Sequence, residues 1–187
     1  MRIFWGSAAF AAALMLGGCA NRPAGDTAAL ENQIFISAAL AHSQSELALA
    51  NMAELKARTP SVVAYAKRVA EHSAPLSARC AELARASGTA ADAAHVPDPA
   101  RFENLSGEAF ERAYIASQIE DQQNALDDFT FAAAQEHDPV LQKLAADAVP
   151  HYRQDLADAI QVVYDIPFTP VSEQDQNMGA GMSGLGR

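Results

Sequence analysis

Four stretches of this chain repeat apolar residues at alternating intervals of three and four, a spacing that builds one face of an α-helix and no face of a strand. The first stripe runs through Phe35, Ala39, Leu49 and Ala53, and the second through Val62, Ala66, Val69, Leu76, Cys80 and Leu83. The third holds Ile115, Ile119, Leu126, Phe129 and Ala133, and the fourth Leu141, Ala145, Ala148, Tyr152, Ala159 and Val162. Alanine fills 42 of the 187 positions and β-branched residues are sparse, a composition suited to closely packed helices. The expected fold class is therefore all-α, an antiparallel four-helix bundle.

Breakers place the ends of these helices. The first helix is expected from Glu31 to about Arg58, where Thr59-Pro60 stops it and opens the second, which runs to about Ser87. Gly88 to Leu105, with Pro97 and Pro99, breaks the pattern over a span long enough to run the length of a neighbouring helix, so a long connection separates helices 2 and 3. Ser106 is a candidate N-cap for a third helix reaching His137, and Asp138-Pro139 supplies the cap and first-turn proline of a fourth, to about Asp165. The bundle is thus expected over residues 31–165, followed by a disordered tail over 166–187. Pro150 falls inside the fourth helix and predicts a kink beside His151.

Each stripe is interrupted near its middle by polar residues: His42 and Glu46 in the first, Ser73 with His72 at its edge in the second, Gln122 in the third, and Asp155 with His151 one turn before it in the fourth. Glu46 and His72 each stand 13 residues from Thr59, and Gln122 and Asp155 stand 16 and 17 from Asp138, so within each hairpin the polar positions are level. One central polar layer follows. It can be a hydrogen-bonded band that fixes helix register. It can hold zinc, iron or manganese on Glu46, His72, His151 and Asp155, or it can hold ordered water or a small polar ligand. The Glu-x-x-His pair of di-iron bundles does not occur, and no cofactor is expected on the first reading. Asp92-Ala93-Ala94-His95 reads as solvated loop, Cys80 as an inert core thiol, and the acidic pairs Glu120-Asp121 and Asp127-Asp128 as a solvated face. Tyr65, Phe110, Tyr114 and Tyr152 read as core.

The N-terminus carries a different kind of signal. Met1-Arg2 precedes an apolar run from Ile3 to Leu16, too short to span a bilayer, which ends in Leu16-Gly17-Gly18-Cys19. This is the pattern of a lipoprotein signal peptide over residues 1–18, with lipidation at Cys19 and a flexible tether over 19–30. It predicts a bacterial cell-envelope protein facing the periplasm, with Ala20 after the cysteine fitting the outer membrane. The expected partners are the membrane, through the lipid, and an envelope protein. A net charge of -10 argues against nucleic acid. With Cys19 acylated, Cys80 has no partner for a disulfide. No nucleophile elbow, phosphate loop or dinucleotide fingerprint is present, so the reading is a structural or interaction role rather than catalysis.

Asn32 to Val163 resembles the domain-of-unknown-function family 4142, exported bacterial proteins with a ferritin-like four-helix fold. The resemblance rests on Glu46-Leu47-Ala48-Leu49, on Tyr65-Ala66-Lys67-Arg68-Val69 leading to His72, on Phe110 with Tyr114, and on Asp138-Pro139 followed by Pro150. It implies a ferritin-like bundle and an exported location, and no reaction. Where the family tends to carry histidines in its second, third and fourth helices, an ungapped register puts Ser73, Gln122 and Asp155 here.

Overall fold

A computed structural model describes residues 24–92 and 97–167 and, among them, contains helices and no strand. The four long helices are α1 (Ala24–Lys56), α2 (Pro60–Ser87), α3 (Gly107–Gln135) and α4 (Pro139–Val162), with short 3-10 turns at Pro99–Phe102 and Val163–Asp165. The four-helix, all-α class expected from the stripes is the one observed. Leader, Cys19, the Ala93-Ala94-His95 part of the loop motif and the tail beyond Pro167 lie outside the described residues.

The helix ends follow local chemistry. Asp138 caps α4 by accepting from the N–H groups of Val140 and Leu141, with Pro139 in the first turn where no donor is needed. Gly88 ends α2 in the left-handed region at φ 69°, and its N–H donates to the Ala84 carbonyl. Thr59 and Ser106 stand at cap positions, yet neither side chain caps its own helix. At Thr59 the cap comes instead from α3, where Glu111 accepts from Arg58 N, Thr59 N and Thr59 Oγ1 at 2.5, 2.8 and 2.7 Å.

Helices α1 and α2 form one hairpin and α3 and α4 the other, with α1 beside α3 and α2 beside α4. The connection between α2 and α3 travels along α1. Ser37 Oγ donates to the Ala90 carbonyl at 2.6 Å, Ser45 Oγ to Pro97 at 2.5 Å, and Lys56 Nζ to Phe102, Glu103 and Leu105 at 2.9, 2.5 and 3.2 Å. The strap therefore climbs from near the start of α1 to its end, and α3 descends beside α1. The bundle is thus two antiparallel hairpins joined by one long crossover.

Two apolar clusters fill the interior. One, around Leu49, Tyr65, Phe110, Tyr114 and Ile115, lies toward the end where α1 stops, and the other, around Leu40, Cys80, Phe129, Leu141 and Tyr152, toward the end where it starts. Between them sit the buried polar residues His42, Glu46, Ser73, Asp121, Gln122 and Asp155. Tyr65, Phe110, Tyr114 and Tyr152 are core, as expected. Burial pushes the Cys80 thiol up to about 11 despite a hydrogen bond with Ser43, leaving little nucleophilic thiolate.

Three sequence expectations are corrected. α1 begins at Ala24, so it takes in residues 24–30 that had been read as tether. Ile166, read as the start of the tail, is buried against the first cluster, and Arg112 Nη2 donates to the Pro167 carbonyl at 2.7 Å. Asp121, read as part of a solvated face, is 4% exposed, whereas Glu120, Asp127 and Asp128 do face solvent.

Candidate metal centre

The polar band divides into two linked groups. In the buried one, Glu46 on α1 meets residues from two other helices: Ser73 Oγ on α2 donates to its Oε2 at 3.1 Å, and Gln122 Nε2 on α3 donates to its Oε1. His42, one turn before Glu46, lies with Nε2 3.3 Å from Glu46 Oε2 and with Nδ1 3.4 Å from Asp121 Oδ1. His42, Glu46 and Asp121 each place one ligand atom within 4.8 Å of the others, and all three residues are buried.

A buried imidazole held between two carboxylates is strongly biased toward positive charge. Burial opposes the imidazolium, but the close carboxylates of Glu46 and Asp121 outweigh it and raise the His42 pKa to about 10. The same carboxylates hold the neighbouring phenols neutral: burial first, then Glu46, pushes Tyr114 and Tyr152 well above the usual tyrosine range.

The second group faces outward. His72 Nδ1 on α2 pairs with Asp155 Oδ2 on α4 at 2.9 Å, and the His72 and His151 rings lie 4.3 Å apart between centroids. Asp155 Oδ1 has Arg68 Nε at 3.8 Å, and Arg68 also pairs with Asp158 at 2.8 Å. Burial raises the Asp155 pKa against the lowering pull of His72. His72, His151, Asp155, Ser73 and Glu46 line one cavity of about 200 Å³ that opens to solvent between α2 and α4.

Several buried polar atoms of the band have no hydrogen-bond partner: His42 Nε2, Asp121 Oδ2, Gln122 Oε1, Tyr152 OH and Asp155 Oδ1. The contact between His42 Nε2 and Glu46 is close enough for an ion pair and misaligned for a hydrogen bond. Such groups are satisfied in nearly all native interiors, so the three with no ion-pair contact either, Asp121 Oδ2, Gln122 Oε1 and Tyr152 OH, are places for a guest that is water or a cation. An imidazole nitrogen, carboxylate oxygens and an amide oxygen form a donor set for borderline divalent ions. Soft thiolate is not among the triad's donors.

The structure thus brings His42, Glu46, Ser73 and Gln122 into one buried network and sets His72, His151 and Asp155 at the cavity beside it. Sequence reasoning missed Asp121 because it sits one position off the Gln122 stripe. A signal was available, since an acid adjacent in register to an inner-face glutamine lies opposite His42 once α1 and α3 are laid antiparallel.

No curated protein matches the chain. A search of solved structures finds CopM in the Cu(II)-bound form, 17% identical, with a TM-score of 0.60, covering 72% of this chain and 96% of that one. At that identity the likeness is one of fold. A family model described as Domain of unknown function (DUF4142) matches residues 19–162, nearly the whole described bundle, and the chain belongs to that family.

Proposed function

We propose that this protein is a lipid-anchored, periplasm-facing envelope protein that binds one divalent metal ion between His42, Glu46 and Asp121. The observation that carries this reading is the buried triad, with its ligand atoms within 4.8 Å and unpartnered donor atoms around it. Glu46 and Asp121 supply anionic oxygen, His42 a nitrogen once its proton is displaced, and Gln122 Oε1 a further neutral oxygen. The metal would take the place of the His42 proton in neutralising the two buried carboxylates. CopM, which shares the fold, is a Cu(II)-bound protein, and nitrogen and oxygen ligands suit Cu(II) as well as zinc, iron or manganese. Binding or storage accounts for these features without a reaction. The anchor rests on the lipobox, and no helix among the described residues is long and apolar enough to cross a membrane.

The test is elemental analysis of the detergent-solubilised full chain, purified without a metal column and incubated with each ion in turn. About one ion per chain is expected, lost in His42→Ala and Asp121→Asn and kept in the surface control Glu120→Ala. A chain that takes up no ion would make the band a register device held by the Ser73–Glu46–Gln122 hydrogen bonds.

A further inference from the structure

Building on the metal-binding reading above, we infer that the cavity between α2 and α4 is the loading port of the buried centre, with His151 and His72 capturing a divalent cation at its mouth and Glu46 receiving it at its floor. Glu46 belongs to both places. It lines the cavity with His72, Ser73 and Asp155, and it is a member of the triad with His42 and Asp121. Tyr152 likewise lines the cavity, and its ring lies 5.2 Å from that of His42. The buried centre and the open cavity therefore share a wall made of a ligand and a phenol, and the carboxylate of Glu46 can hold an ion from either side.

The mouth has the chemistry of a capture site. His151 is exposed, and the His72 side chain is 24% exposed, so both rings meet solvent. The 2.9 Å contact of His72 Nδ1 with Asp155 is the arrangement that orients metal-binding histidines, because a carboxylate holding one ring nitrogen leaves the lone pair of the other, Nε2, for an ion. The His151 ring is close enough to add a second imidazole. Asp155, whose Oδ1 meets only the 3.8 Å ion-pair contact of Arg68, and Tyr152, whose OH has no hydrogen bond, bring further oxygens to the cavity lined by Glu46. About 200 Å³ accommodates an ion with part of its water shell, at roughly 30 Å³ per water.

Both helices also carry a proline here. Pro75 lines the cavity on α2, and Pro150 precedes His151 on α4. Each removes one backbone hydrogen bond from its helix at the level of the opening.

The experiment is stopped-flow uptake of Cu(II) by the detergent-solubilised full chain, read by quenching of tyrosine fluorescence and followed by elemental analysis at equilibrium. The expected result for His72→Gln/His151→Ala is filling at least tenfold slower, with the final content still about one ion per chain. Leu76→Phe keeps both histidines and the tyrosine readout and narrows the cavity, so it is expected to slow filling in the same way, and circular dichroism checks that each variant is folded. Filling at the wild-type rate in both variants would overturn the port while leaving the centre in place. A wild type that takes up neither copper nor zinc, iron or manganese would overturn both.

Discussion

At the scale of single residues, the buried carboxylates divide into those that fasten a turn and those gathered in the polar band, where the proposed metal would bind. Glu111 is of the first kind. It is 2% exposed and accepts three hydrogen bonds from the α1–α2 turn, which hold its carboxyl below its ordinary value even though burial pushes the other way. A carboxyl lowered in the folded state contributes stability above its unfolded pKa, and that contribution is lost as pH falls through the folded value. Glu111→Gln is expected to lose about 1–3 kcal/mol at neutral pH, because an amide presents donors to donors. Urea titrations should show the gap between variant and wild type closing below about pH 4, where the wild-type carboxyl also protonates. This residue was invisible in sequence, since its partners are backbone groups 52 and 53 residues away. Glu46 was legible for the opposite reason: a charged residue interrupting an apolar stripe can only be explained from inside the bundle.

At the scale of elements, α2 and α4 read easily because their buried faces are largely apolar, whereas α1 and α3 carry almost no apolar–polar asymmetry. The cause is the polar band itself, which puts His42, Glu46, Gln118, Asp121 and Gln122 on inward faces, together with the strap, which buries Ser45 on what would otherwise be an outer face. Helix count and the long connection followed from breakers such as Thr59-Pro60 and Asp138-Pro139. The path of that connection did not, because it depends on side chains of α1 reaching carbonyls about 50 residues away. Lys56 is the strongest of these fasteners, with one ammonium serving three carbonyls. Lys56→Ala is expected to destabilise the protein by about 1–2 kcal/mol and to speed amide hydrogen exchange selectively over residues 99–105. Exchange rising equally in all four helices would instead mean that the strap and bundle unfold as one unit.

At the scale of the whole molecule, the proposed location rests on the first nineteen residues and the proposed metal binding on the middle of the bundle. Cys19→Ser is expected to move the protein from the membrane fraction to the soluble fraction while leaving its metal content unchanged; a variant still sedimenting with membranes would remove the lipid from the account. The single crossover has one more consequence. Because α1 and α4 run the same way, the described chain starts at one end of the bundle and ends at the other, where Pro167 meets Arg112. The 33 residues of α1 measure about 50 Å, and Glu46 lies about 33 Å from Ala24 along it. Under the proposed lipid anchor at Cys19, α1 would act as a mast that can hold the cavity up to that height above the bilayer.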